Sequence, residues 1–175
     1  MNDDIPPDED LLVVSRFRVV RRHRRLPSGK VVAREVVEHP GAVVILPLVE
    51  GDRVCLIRNY RVAVKQTLLE LPAGTLEVGE DPAECAAREL IEETGYRAGR
   101  IERACEFFMS PGILNERMHL FVASELVLGE TALEESEEIE RVVVPWAEAM
   151  RLVRAGEVQD AKSLVGLLWH EQFRS

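Results

Sequence analysis

The chain has 175 residues, enough for one domain with a real core and a small additional sheet. Its 46% hydrophobic and 30% charged residues describe a globular protein, and no apolar run reaches the roughly 18 residues of a membrane span. A net charge of −9 argues against non-specific nucleic-acid binding, and the acidic, proline-containing start lacks the basic-then-apolar pattern of a secretory leader.

Residues 1–10 read as a flexible acidic tail. Leu11 to Arg25 mixes β-branched residues with arginines, Leu26-Pro27-Ser28-Gly29-Lys30 is a turn signal, and Val31 to Glu38 reads as a returning strand. Residues 11–40 are thus a β-hairpin region forming a small antiparallel sheet. After the Pro40-Gly41 break, Ala42 to Val49 is a continuous apolar run of the kind found in buried strands. Arg53 to Tyr60 returns from the Glu50-Gly51-Asp52 turn, and Leu68 to Leu71 is a short strand before Pro72. Asp81 to Thr94 is the clearest helix: Asp81 caps it, Pro82 suits its first position, Glu84 completes a capping-box pattern, and Gly95 ends it. Strands follow at Arg103 to Met109, Met118 to Leu126 and Glu140 to Pro145, with helices at Trp146 to Ala155 and Ser163 to Phe173. The order implies an α+β fold, a mixed sheet between helical layers.

Cys55, Cys85 and Cys105 are odd in number and form no C-x-x-C pair. A disulfide framework and a structural zinc site are both unsupported, and a reducing cytoplasm fits the chain best.

The chemistry is concentrated between Gly74 and Tyr96. Glu89, Glu92 and Glu93 stand at i, i+3 and i+4, which puts three carboxylates on one helix face. Like charges so placed cost a helix roughly 0.2–0.5 kcal/mol per pair. Arg88 can pair with Glu84 or Glu92, but one guanidinium does not neutralise the group. A hard divalent cation such as Mg²⁺ would. Taken alone, three such glutamates also describe an ordinary solvated helix face. The surrounding residues decide otherwise. Gly74, Glu80, Arg88, Glu89, Leu90, Glu92, Glu93, Gly95 and Tyr96 match the pattern G-x5-E-x7-R-E-U-x-E-E-x-G-U, U being a bulky aliphatic or aromatic residue, without a departure. In this the chain resembles the Nudix family of metal-dependent diphosphate hydrolases.

That resemblance implies an α/β/α sandwich over residues 41–175. It implies Glu89 and Glu93 as principal metal ligands with Glu92 close by and the Ala73 carbonyl as a further ligand. Glu92 and Glu93 then also belong to the catalytic apparatus. Gly74, Glu80, Arg88 and Gly95 would be structural, with Glu80 and Arg88 holding the loop against the helix. The expected ion is Mg²⁺, with Mn²⁺ as a substitute.

Outside the box, Arg58-Asn59-Tyr60-Arg61, Leu69-Glu70-Leu71-Pro72-Ala73-Gly74 and Ser110-Pro111-Gly112 with Glu116 and His119 resemble motifs of ADP-ribose pyrophosphatases. The resemblance implies ADP-ribose as substrate, giving AMP and ribose 5-phosphate. Arg61, with Arg58 near it, would bind the diphosphate, since a guanidinium fork suits phosphate oxygens. Glu116 would order the substrate side. In the acidic stretch before the last strand, aligning on Ile139 makes Glu135 the general-base candidate and Glu137 a candidate metal ligand; a solvated charge run is the alternative. The hairpin arginines admit RNA contact or a face toward solvent, a partner or the substrate, and the lack of aromatic residues among them argues against single-stranded RNA. Relatives dimerise through such a sheet, which implies a homodimer. Two alternatives remain in view: hydrolysis of a GDP- or UDP-sugar, and a non-catalytic nucleotide sensor on the same fold. A decapping role is disfavoured by the net acidity and small size.

Overall fold

The computed structural model describes residues 5–129 and 138–173. Strands β1 (Glu9–Val13), β2 (Arg18–Arg25) and β3 (Val31–Glu38) form an antiparallel sheet in that order. The sequence reading had one strand across Leu11 to Arg25. The structure breaks it, with Val14 N donating to Phe17 O at 3.1 Å, so the hairpin becomes three strands. The first strand begins at Glu9, inside the span read as a tail. The acids there have partners: Asp8 meets Arg22 at 2.8 Å, Glu9 meets Arg21 at 3.0 Å, and Asp10 meets Arg18 at 3.4 Å. Glu35 and Glu38 of β3 engage Arg21, Arg18 and Arg22 from the other side. Much of the basic cluster is therefore paired within its own sheet.

The main domain contains β4 (Ala42–Val49), β5 (Arg53–Arg61), β6 (Gln66–Glu70), β7 (Ala73–Thr75), helix α1 (Pro82–Thr94), β8 (Tyr96–Phe108), β9 (Arg117–Leu128), β10 (Ile139–Pro145), α2 (Trp146–Arg154) and α3 (Ala161–Phe173). Its seven strands form one mixed sheet along the path β10-β5-β4-β9-β8, with β6 on β5 and β7 on β4. The β4–β9 pair is parallel, and the other pairs are antiparallel.

The long apolar run of β4 is explained by burial on both faces. Val43 and Ile45 pack with Cys85, Ala86 and Leu90 of α1. Val44 and Leu46, pointing the other way, pack with Trp146 and Ala149 of α2 and Leu167 of α3. The outcome is the α/β/α layering expected. Gly166 lets α3 lie close, because a Cβ there would stand 2.6 Å from Leu71 Cδ1.

Helix α1 carries the decisive residues, and its ends are well fixed. Asp81 Oδ1 accepts from Ala83 N at 2.7 Å. At the other end Gly95 adopts φ 74°, and its N–H donates to Ile91 O. Arg141 Nη1 donates to the Thr94 carbonyl at 2.7 Å, placing a cation on the negative end of the helix.

Candidate active site

Strand β7 runs alongside α1, and the loop after it passes over the carboxylates of that helix. A Cβ at Gly74 would stand 1.9 Å from the Glu89 carboxylate carbon, so only glycine lets this strand and that carboxylate approach as they do. Arg88 is the organiser. Its Nε and Nη2 donate to Glu80 at 3.1 and 3.2 Å, and its Nη1 donates to Glu89 Oε1 at 2.8 Å and Glu92 Oε2 at 2.9 Å. Glu80 closes the loop by accepting from Glu77 N at 2.9 Å. The bond from Arg88 holds the Glu80 carboxyl below the usual carboxylate range, and the bond to Glu80 is the main influence raising Arg88 above its ordinary value. Glu93, nearly buried, accepts from Ala73 N at 2.9 Å. One guanidinium thus serves three carboxylates, with that of Glu93 beside them, leaving a surplus of negative charge.

A cavity of about 250 Å³ opens here, lined by Arg16, Asn59, Arg61 and Glu77 together with the acidic residues of α1. A second, of about 230 Å³, is lined by Met109, Glu116, Asp160 and Lys162. Both are bounded by Arg61, Ala73, Gly74 and Thr75, which makes them two halves of one groove. In the second half Arg61 forks onto Glu70, Nε to Oε1 at 2.8 Å and Nη2 to Oε2 at 2.7 Å. Lys162 Nζ joins the same carboxylate at 2.5 Å. Glu116 stands 3.5 Å from His39. A larger cavity, about 710 Å³, lies beside Trp146, His170 and Phe173 and shares no residue with this groove.

The groove brings together Ala73, Gly74, Arg61, Glu89, Glu92, Glu93 and Glu116. It does not bring Arg58, which lines neither half and pairs across the sheet with Glu140 at 3.2 Å. Neighbouring residues of a strand face opposite ways, so Asn59 and Arg61 turn into the groove while Arg58 turns from it. Glu135 and Glu137 lie outside the described residues. The sequence reading missed Glu70, Asp160, Lys162 and Arg16. A usable signal existed for Glu70, a lone carboxylate within Leu68-Leu69-Glu70-Leu71, since a charge in an apolar run implies a buried partner.

The NUDIX domain model matches residues 37–165. The chain belongs to the Nudix family. It is a Nudix diphosphatase, and its relatives agree with that. It is 43% identical over 140 residues to an ADP-ribose pyrophosphatase of Bacillus subtilis, covering 79% of this chain and 76% of the relative. It is 40% identical over 159 residues to a GDP-mannose pyrophosphatase of Cronobacter sakazakii, covering 84% and 82%. A solved structure described as an ADP compounds hydrolase superposes with a TM-score of 0.84 at 26% identity, over 97% of this chain and 92% of that one.

Nudix hydrolases generally use divalent metal ions. The donors here are of the right type, hard carboxylate oxygens with a charge surplus and a glycine cradle beside Glu89. As they stand, no three His, Cys, Asp or Glu side chains among the described residues converge closely enough to hold an ion. Glu89 and Glu92 each turn an oxygen to Arg88, and Glu93 turns one to Ala73 N.

Proposed function

We propose that this Nudix diphosphatase hydrolyses ADP-ribose to AMP and ribose 5-phosphate with Mg²⁺, Mn²⁺ serving as a substitute. The observation that carries the reading is the groove itself. A carboxylate-rich half and a charge-balanced half meet at Ala73 and Gly74, and Arg61 borders both. Glu89 and Glu93 are the principal ligands, with Glu92 beside them and the Ala73 carbonyl completing the set. Bound there, the ion would neutralise the diphosphate and lower the pKa of the attacking water. Arg61 holds the diphosphate from the opposite side through Nη1, the edge of its guanidinium not used by Glu70. Glu116 orders the substrate in the second half. Glu135 is the proposed base and Glu137 a further ligand.

A second reading, hydrolysis of a GDP-sugar, is favoured by the similarity to a GDP-mannose pyrophosphatase. The two share the acidic half and differ in what the rest of the groove accepts.

Two further points belong to the proposal. Leu12 and Val13 of β1 and Phe17, just before β2, are 51%, 66% and 39% exposed, an apolar edge that supports a homodimer built on this sheet. Sedimentation as a monomer at micromolar concentration would remove that part. All three cysteines are free, which supports a reducing cytoplasm.

The test is cleavage of ADP-ribose, GDP-mannose, UDP-glucose, NADH and capped RNA, with Mg²⁺ or with EDTA. The expected result is Mg²⁺-dependent release of AMP and ribose 5-phosphate, with ADP-ribose preferred by kcat/KM. Preference for another nucleotide sugar would move the substrate and keep the metal site. Tight nucleotide binding without cleavage of any would turn the reading to a sensor.

A further inference from the structure

The charged residues across the groove from α1 form a unit that the hydrolytic reading uses only through Arg61. Glu70 is its hub. It ends β6, is fully buried, and receives the Arg61 fork on both oxygens. Lys162, at the start of α3, donates to Glu70 Oε2 at 2.5 Å and pairs with Asp160 Oδ1 at 2.9 Å. Asp160 Oδ2 accepts from Ser163 N and Oγ at 3.0 and 2.5 Å, and Ser163 Oγ in turn accepts from Leu71 N at 2.7 Å. The chain of bonds leaves the sheet at Glu70 and returns to it at Leu71, closing through α3.

The charges balance, two cations against two carboxylates. That is what a buried cluster needs, because a buried carboxylate lacking a cation becomes protonated or costs stability. Burial acts to raise the Glu70 carboxyl, but Arg61 and Lys162 outweigh it and hold the group below the usual range. The geometry has a consequence for the substrate. Arg61 is gripped by Nε and Nη2, so Nη1 is left with a fixed direction while the residue borders both halves of the groove. An unanchored arginine would lose rotamer freedom on meeting a phosphate; here that cost falls on folding instead of binding.

We propose that Glu70 is a positioning residue for the substrate, holding Arg61 and, through Lys162, the start of α3 as one preorganised unit on the diphosphate side of the groove. The proposal rests on the hydrolase reading above. Glu70 itself touches no substrate; it acts through Arg61.

Steady-state kinetics with ADP-ribose and Mg²⁺ on wild type, Arg61→Ala, Glu70→Gln and the double variant test this. Each single change should raise KM about tenfold and leave kcat within about threefold, since a charge-assisted contact to bound substrate is weakened. The double variant should be no worse than Arg61→Ala alone, because the two residues act as one. Additive rises in KM would overturn the proposal. So would a folded Glu70→Gln enzyme with wild-type KM, or one that loses kcat alone. Should Glu70→Gln fail to fold, Glu70→Gln/Lys162→Met takes its place, removing one charge of each sign and leaving Arg61 a neutral acceptor. Raised KM there supports the proposal, and wild-type KM overturns it. A wild-type protein that cleaves nothing removes the hydrolase reading instead, and the same cycle is then run on ADP-ribose affinity by calorimetry.

Discussion

On the α1 side of the groove, one guanidinium, that of Arg88, faces Glu80, Glu89 and Glu92, with Glu93 close by; on the α3 side, Arg61 and Lys162 face Glu70 and Asp160. The first group is short of positive charge and lies open to the groove. The second is balanced, and its central carboxylate is buried. A surplus held in place by folding costs stability unless something of opposite charge completes it, whereas a balanced buried cluster is complete when the chain folds. The difference separates the proposed cation site from the proposed positioning unit. It also separates the expected effects of mutation: loss of chemistry on one side, loss of stability and substrate affinity on the other.

The largest effect expected is on the acidic side. Glu93→Gln keeps an oxygen for Ala73 N but removes a charge from the proposed ligand set, and kcat should fall more than about a hundredfold, since even partners behind metal ligands cost 10–100-fold. The thermal midpoint should hardly move. Near-normal Mg²⁺-dependent turnover would contradict Glu93 as a metal ligand.

Next comes the balanced side. Glu70→Ala removes the carboxylate that Arg61 grips and leaves Lys162 with Asp160 alone, and should cost about 2 kcal/mol in urea unfolding, less than a fully buried pair because the Arg61 side chain is 38% exposed. The Glu70 carboxyl is depressed from 4.5 in the folded protein, so its contribution is fully present above that pH and is lost as pH falls through the lower folded value. Wild-type stability should therefore drop on acidification below 4.5, and that drop should be shallower in Glu70→Ala. Parallel curves for the two proteins would remove Glu70 from the account.

Gly74→Ala sharpens the contrast. The new methyl meets the far end of the Glu89 side chain, which can move, so the fold should hold while the carboxylate is displaced and activity falls about tenfold. The smallest effect belongs to Arg58→Ala. Its surface pair with Glu140 predicts a change in KM below about twofold and in stability below about 0.5 kcal/mol. A tenfold rise in KM would return Arg58 to the substrate.

The sequence made the acidic side legible because its chemistry is local. Gly74, Glu80, Arg88, Glu89, Glu92 and Glu93 fall within one loop and one helix, and helical spacing alone places three carboxylates on a face. The apolar run Ala42 to Val49 and the caps Asp81 and Gly95 were legible for the same reason. The balanced side was not, because Glu70 finds Lys162 only after α3 packs against the sheet, 92 residues along the chain. Tyr96 to Glu102 was missed as strand because Gly99 and the charges at Arg97, Arg100 and Glu102 interrupt the apolar alternation that Tyr96 and Ala98 begin. The break at residues 14–17 was missed because Val14 and Phe17 carry no glycine or proline to mark it. Arg58 was assigned to the site by its place in a motif, and strand alternation turns it away.

The most direct measurement is Mn²⁺ binding followed by electron paramagnetic resonance, on folded wild type, Glu89→Gln/Glu93→Gln and Glu70→Gln. Binding is expected in wild type and Glu70→Gln, with its loss when the two helix carboxylates are neutralised. Undiminished binding in Glu89→Gln/Glu93→Gln would contradict the claim that the surplus of charge on α1 is the metal site.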